Sequence, residues 1–185
     1  MFKKILLSIV SIIVLIILSG ITTVVVFKSS IDKQHASNEV IARSNNTNGK
    51  EALIIYQNCE SKFPEEIASS LASGLNDAGY TVITNTAGDF LPNDISKYDI
   101  VILGGATLAG NVGEPLQNYA QSIKNYGNAK IILYSTGANK DNITEIDKLN
   151  SLLRKDPIKK VKFDYSNKEE SKADAISLGK EIAGN

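Results

Sequence analysis

The chain is poor in the residues from which metal and nucleophile sites are usually assembled. It has a single cysteine, Cys59, and a single histidine, His35, among 185 residues. One cysteine excludes an internal disulfide, and one histidine excludes zinc sites built from several Cys and His ligands. No metal site is expected. A Ser-His-Asp set has no firm base either, because His35 sits in a polar stretch just after a long apolar run. Net charge is lacking as well: 20 Lys and Arg balance 20 Asp and Glu, and 43% of the residues are hydrophobic. The chain is therefore neither disordered nor a polycationic nucleic-acid binder. The balance hides an asymmetry, with residues 1–50 at a net +4 and residues 51–185 at −4. An acidic globular part argues against a phosphate-backbone partner, so no nucleic acid is expected.

What the chain does have, at its start, is a run of 23 residues from Ile5 to Phe27 without a charged side chain, preceded by Lys3 and Lys4. At about 1.5 Å per helical residue this run is long enough to cross a hydrocarbon core of roughly 30 Å. A cleaved leader usually has an apolar stretch of about 7–15 residues and an Ala-x-Ala-like site, and neither feature is present. The expectation is one uncleaved transmembrane helix over residues 5–27. The short basic flank at Lys3 and Lys4 places the N-terminus inside and the rest of the chain outside the cytoplasm.

Residues 28–50 have few apolar side chains and no sustained period, and end in the run Ser44-Asn45-Asn46-Thr47-Asn48-Gly49. They read as a polar linker, with His35 an exposed member of it.

From Glu51 to the end, short β-branched runs alternate with helical patterns, which is the signature of βαβ units and a parallel sheet. Five strands are expected, over Ala52–Tyr56, Tyr80–Thr84, Asp99–Leu103, Lys130–Tyr134 and about Val161–Tyr165. Ile67, Leu71 and Leu75 at spacing four mark a first helix from Pro64 to Ala78, with Gly79 as its stop. Leu116, Tyr119, Ala120 and Ile123 mark a second, and Ile143, Ile146, Leu149 and Leu153 a third, capped by Asp141. A last helix is expected from about Lys168 to Ile182. Val161, Phe163 and Tyr165 alternate with lysines, which suits an edge strand.

In an open parallel sheet the ligand crevice lies beyond the carboxyl ends of the strands, where strand order reverses. Three segments meet that description: Gln57 to Phe63, Gly104 to Gly113 and Ser135 to Asn139. Together with the five strand–helix repeats, Leu103-Gly-Gly-Ala-Thr-Leu-Ala-Gly-Asn111 and Tyr134-Ser-Thr-Gly-Ala138 give residues 51–185 a likeness to one family. The chain resembles flavodoxins, and more narrowly membrane-anchored flavodoxin-like proteins of bacteria. The resemblance implies a doubly wound three-layer α/β sandwich with a five-stranded parallel sheet. It implies FMN as cofactor and electron transfer to a redox partner protein or a small electron acceptor. Residues carried over from the first segment are Gln57, Asn58, Cys59, Ser61, Lys62 and Phe63. The second contributes Ala106, Thr107, Leu108, Ala109, Gly110 and Asn111, and the third Ser135, Thr136 and Gly137.

The departures from the family pattern are specific. The phosphate loop of the family runs Ser/Thr-x-Thr-Gly-x-Thr and falls here on Cys59-Glu60-Ser61-Lys62-Phe63-Pro64, in which Ser61 alone keeps a hydroxyl. Lys62 replaces a glycine that allows close backbone approach, and Pro64 removes a hydroxyl and an N–H. Lys62 offers a cation in their place, opposed by Glu60. Leu108 stands where the family has an aromatic against the flavin ring. These losses support an alternative: a flavodoxin-like fold without flavin, acting as a surface binding or interaction module.

Overall fold

The computed structural model describes residues 2–44 and 49–184. Helix α1 spans Phe2–Asp32, and the strand β1 Val40–Ala42 follows it. The domain proper then runs β2 Glu51–Gln57, α2 Phe63–Asp77, β3 Thr81–Thr86, β4 Ile100–Leu108, β5 Asn111–Val112 and α3 Glu114–Ser122. It ends with β6 Lys130–Gly137, α4 Thr144–Asn150, β7 Lys159–Asp164 and α5 Lys168–Gly184.

The sheet order is β1-β3-β2-β4-β6-β7, with β5 folded back on β4. The five expected strands are the parallel set β3-β2-β4-β6-β7. The sheet is larger than five, because β1 pairs antiparallel with β3 and β5 antiparallel with β4. Burial explains the near-continuous apolar strands. Ile54 and Tyr56 of β2 and Ile132 and Tyr134 of β6 enter one core with Leu71 and Leu75 of α2 and Leu178 of α5. Leu53, Ile55, Ile131 and Leu133 enter a second core with Leu116 and Tyr119 of α3 and Ile146 of α4. A strand covered on both faces is apolar on both faces. The result is the three-layer, flavodoxin-like α/β sandwich, with Lys159, Lys160 and Lys162 along the β7 edge.

Two expectations change at element ends. Strand β4 does not stop at Leu103 but runs on through Gly104 and Gly105 to Leu108. Those glycines answer to internal packing: a Cβ on Gly104 would lie 2.1 Å from the Tyr134 ring, and one on Gly105 2.9 Å from Gln57 Cβ. Helix α4 starts at Thr144 with Ile143 at its N-cap and no side-chain cap, so Asp141 does not do the capping expected of it; Asn142 Oδ1 accepts from Thr144 N in the turn just before the helix.

The largest change concerns residues 28–50. The helix that contains the apolar run continues to Asp32, and the segment after it lies against the domain instead of hanging as a linker. Thr86 Oγ1 donates to Ala36 O at 2.8 Å, Asn38 N to Asn85 Oδ1 at 2.8 Å, and Asn38 Nδ2 to Tyr56 OH at 3.0 Å. Strand β1 then adds to the sheet edge. His35 is half-buried, and its Nε2 is buried without a partner. Residues 45–48 of the expected polar run lie outside the described residues.

Helix α1 is about 46 Å long at 1.5 Å per residue. Its side chains from Ile9 to Val26 are exposed, and burial begins only at its end, with Phe27 and Ile31. It has the length and apolarity of a membrane span.

Candidate functional site

Strand order reverses between β2 and β4, and the crevice at their carboxyl ends is bounded by the turn after β2 and the β4–β5 hairpin. Gln57, the last residue of β2, is fully buried. The turn beyond it is held by its own groups. Asn58 Oδ1 accepts from Cys59 N at 2.9 Å, Ser61 Oγ accepts from Phe63 N at 3.4 Å, and Cys59 Sγ lies 3.2 Å from Ser61 Oγ. Lys62 takes the left-handed conformation, with φ of 53°, to turn into α2. Its side chain lines a surface groove with Glu65, Glu66 and Lys172. Phe63 points the other way, into the core, edge-on to Tyr165 at 5.5 Å between ring centroids.

Beyond β4 the chain reverses through Ala109 (φ 49°) and Gly110 (φ 71°), the pair of positive φ values that a two-residue I′ hairpin requires. Lys148 holds the tip, donating to Gly110 O at 2.8 Å and Asn111 Oδ1 at 3.0 Å. Ala106 is buried, Thr107 Oγ1 donates to Thr136 O at 3.4 Å, and Leu108 is half-buried.

The third segment belongs largely to strand β6 and not to a loop. Ser135 is fully buried and donates to Glu145 Oε1 at 2.7 Å, while Lys162 Nζ reaches the same oxygen at 2.8 Å. Burial pushes the Glu145 carboxyl up, but the bonds from Lys162 and Ser135 outweigh it and hold the group below the usual carboxylate range. Lys162 also donates to Asn142 O at 2.7 Å, tying down the turn before α4. Thr136 is buried, and Gly137 gives room to Thr107 and Lys162, since a Cβ there would meet Thr107 Oγ1 at 2.9 Å. The Ser135 hydroxyl is thus engaged with an internal ion pair and turned away from any crevice ligand.

The structure adds an occupant to the crevice, the end of α1. Ile31, only 2% exposed, packs with Cys59 and Ala106, flanked by Phe27 and Leu108. Gln57 Nε2 donates to Ile31 O at 2.7 Å and Lys33 O at 3.0 Å, capping carbonyls that the helix end leaves without partners. Ser30 Oγ accepts from Glu60 N at 3.1 Å. Asp32 Oδ1 accepts from Glu114 N at 3.1 Å, supplying the side-chain cap that Gly113 cannot give α3. Gly113 itself is required by the contact, because a Cβ there would stand 2.3 Å from Ile31 O.

In this arrangement the residues do not fit FMN. Of the five backbone N–H groups from Cys59 to Phe63, four already donate within the chain. The apolar slot between the first turn and β4 holds Ile31, whose burial contributes about 1.5–3 kcal/mol to docking. One cost remains on the floor of the crevice: Gln57 Oε1 is buried without a donor, at about 1–3 kcal/mol.

The expected residues therefore divide. Gln57, Cys59, Ala106 and Leu108 meet around Ile31; Asn58 and Ser61 shape the turn; Ala109, Gly110 and Asn111 form the hairpin tip; Phe63 and Ser135 are core residues. Ser30, Ile31 and Asp32 carry the crevice contacts and were not expected, and they meet Gly113 at the end of the second expected segment. Their signal was faint: the isolated apolar Ile31 between Ser30 and Asp32, one turn past the apolar run.

No protein-family model and no curated protein matches the chain. Solved structures do. A Streptococcus pneumoniae flavodoxin superposes with a TM-score of 0.62 at 20% identity, over 72% of this chain and 98% of its own. Oxidised flavodoxin 2 of Bacillus cereus gives 0.55 at 16% identity, over 72% and 96%. A flavodiiron protein of Giardia intestinalis gives 0.55 at 14% identity over 75% of this chain, which spans 36% of that longer chain. At these identities the likeness concerns the fold.

Proposed function

We propose, starting from the flavodoxin-like fold of this chain, that it is a membrane-tethered module that works as a surface binding or interaction domain without resident FMN. The observation that carries this reading is the double hydrogen bond from Gln57 to the end of α1, with Ile31 wedged between Cys59 and Ala106. A flavin at the switch point would compete with Ile31 for the same apolar slot and with Ser30 for the Glu60 N–H. In this reading the domain rests on the bilayer with the carboxyl ends of its strands toward the membrane, and the packing of Phe27 and Ile31 at the crevice supports that posture. Lys3 and Lys4 favour an extracytoplasmic domain.

A second reading is favoured by the convergence of the β2 turn and the β4–β5 hairpin on one switch point. In it the protein takes up FMN and passes electrons between a redox partner protein or a small acceptor, and residues 30–33 must first leave the crevice. Purification of the full chain from membranes in mild detergent, followed by visible spectroscopy and flavin extraction, separates the two. The first reading expects no stoichiometric flavin. About one FMN per chain overturns it in favour of the second.

A further inference from the structure

We propose that Ser30, Ile31 and Asp32 form an intramolecular ligand mimic, a strap that occupies the crevice and must withdraw before an acidic ligand with an apolar body can enter. The inference rests on the reading of this crevice as the site of the fold. Its basis is the chemistry that three successive residues present. Ser30 places a hydroxyl oxygen on the Glu60 N–H, at the turn after β2. Ile31 places an aliphatic body between Cys59 and Ala106. Asp32 places a carboxylate on the Glu114 N–H, at the first turn of α3, where a helix favours negative charge. A small molecule with oxygen acceptors at the turn, an apolar body in the slot and an anionic group at α3 would satisfy the same groups.

The contact is built to separate. Gln57 Oε1, buried on the crevice floor, has no donor while the strap is docked, although Gln57 Nε2 donates to Ile31 O and Lys33 O and lies 3.4 Å from Asn58 O. The two donations fix the amide orientation, so a flip does not relieve the orphan. The strap is also continuous with α1, so a shift or tilt of that helix in the bilayer pulls directly on Ile31. Access to the crevice is thereby coupled to the state of the membrane helix.

The test uses the full chain in detergent, with FMN as probe and riboflavin beside it. Ile31→Asp would bury a carboxylate in an apolar slot and so release the strap. The expected result is a rise of at least tenfold in both the alkylation rate of Cys59, which is 4% exposed in the docked state, and the affinity for FMN. Ile31→Cys supplies the opposite arm, since Cys59 is the only native cysteine. Mild oxidation of that variant should bridge the introduced thiol to Cys59, seen as a loss of two hydrogens by mass, and weaken FMN at least tenfold against the reduced form. Equal FMN affinity in wild type, Ile31→Asp and both forms of Ile31→Cys would overturn the strap. So would a Cys59 that becomes reactive in Ile31→Asp while no flavin binds, because the opened crevice would then hold no ligand site. Flavin on the wild-type chain as isolated defeats the flavin-free reading alone; the strap stands if the tenfold ratios hold.

Discussion

The side-chain amide of Gln57 stands 2.7 Å from the carbonyl oxygen of Ile31, which precedes it by 26 residues, and so joins the last turn of an apolar helix to a central strand of the α/β domain. A residue expected to face a cofactor instead caps a helix. Replacing it by Leu removes the donors from the buried Ile31 carbonyl and the part-buried Lys33 carbonyl, a loss of about 1–3 kcal/mol from docking. Amide hydrogen exchange of residues 30–38 is expected to accelerate, with β2 and β4 still protected. Unchanged exchange in that segment would mean that the bonds to Ile31 and Lys33 contribute nothing.

The buried Glu145–Lys162 pair makes stability depend on acid. Because the folded carboxyl titrates below its unfolded value of 4.5, the pair's contribution is complete above that pH and fades as pH falls through the lower folded value. Lys162→Met leaves the Glu145 carboxylate, 2% exposed, without its cation and should cost about 3–5 kcal/mol at neutral pH. Urea unfolding at pH 7 and pH 4 measures both effects. The variant should lose less than the wild type on acidification, since protonation relieves its unpaired carboxylate.

Helices α2 and α5 meet at glycines. A Cβ on Gly179 would lie 2.6 Å from Leu71 O, and one on Gly74 2.2 Å from Ile176 O, in both cases against backbone that cannot rotate aside. Gly179→Ala is expected to destabilise the domain by about 1–3 kcal/mol through overpacking, read as a lower urea midpoint with an unchanged slope. A gain in stability, as helix propensity alone would give, would place the two helices further apart than 3.0 Å between Gly74 Cα and that Cβ.

The full chain is expected to stay with membranes through carbonate extraction, and its domain to be cut by external protease in intact cells. Recovery of a soluble chain beginning after residue 28 would identify residues 5–27 as a cleaved leader. Protection from the protease would reverse only the orientation.

The parallel strands, their helices and the apolar run could be read from residue order alone, because each depends on local periodicity and on burial of a whole face. The Ile-, Val- and Leu-rich strands had to lie between two layers, and Leu71 with Leu75 had to point at one of them. The small antiparallel strands were hidden. Val40–Ala42 is too short to show a period, and the hairpin at Ala109-Gly110 lacks the Asn-Gly or Asp-Gly pair that usually announces one. Tertiary structure alone decided what the crevice holds. Ser135 looked available until Glu145 and Lys162, 10 and 27 residues further on, closed around it. Residues 30–38 looked like a solvated tether because their side chains are mostly polar. They are ordered by hydrogen bonds to Gln57, Glu60, Asn85, Thr86 and Glu114, partners that only folding brings within reach, and such long-range pairing leaves no pattern within the segment itself.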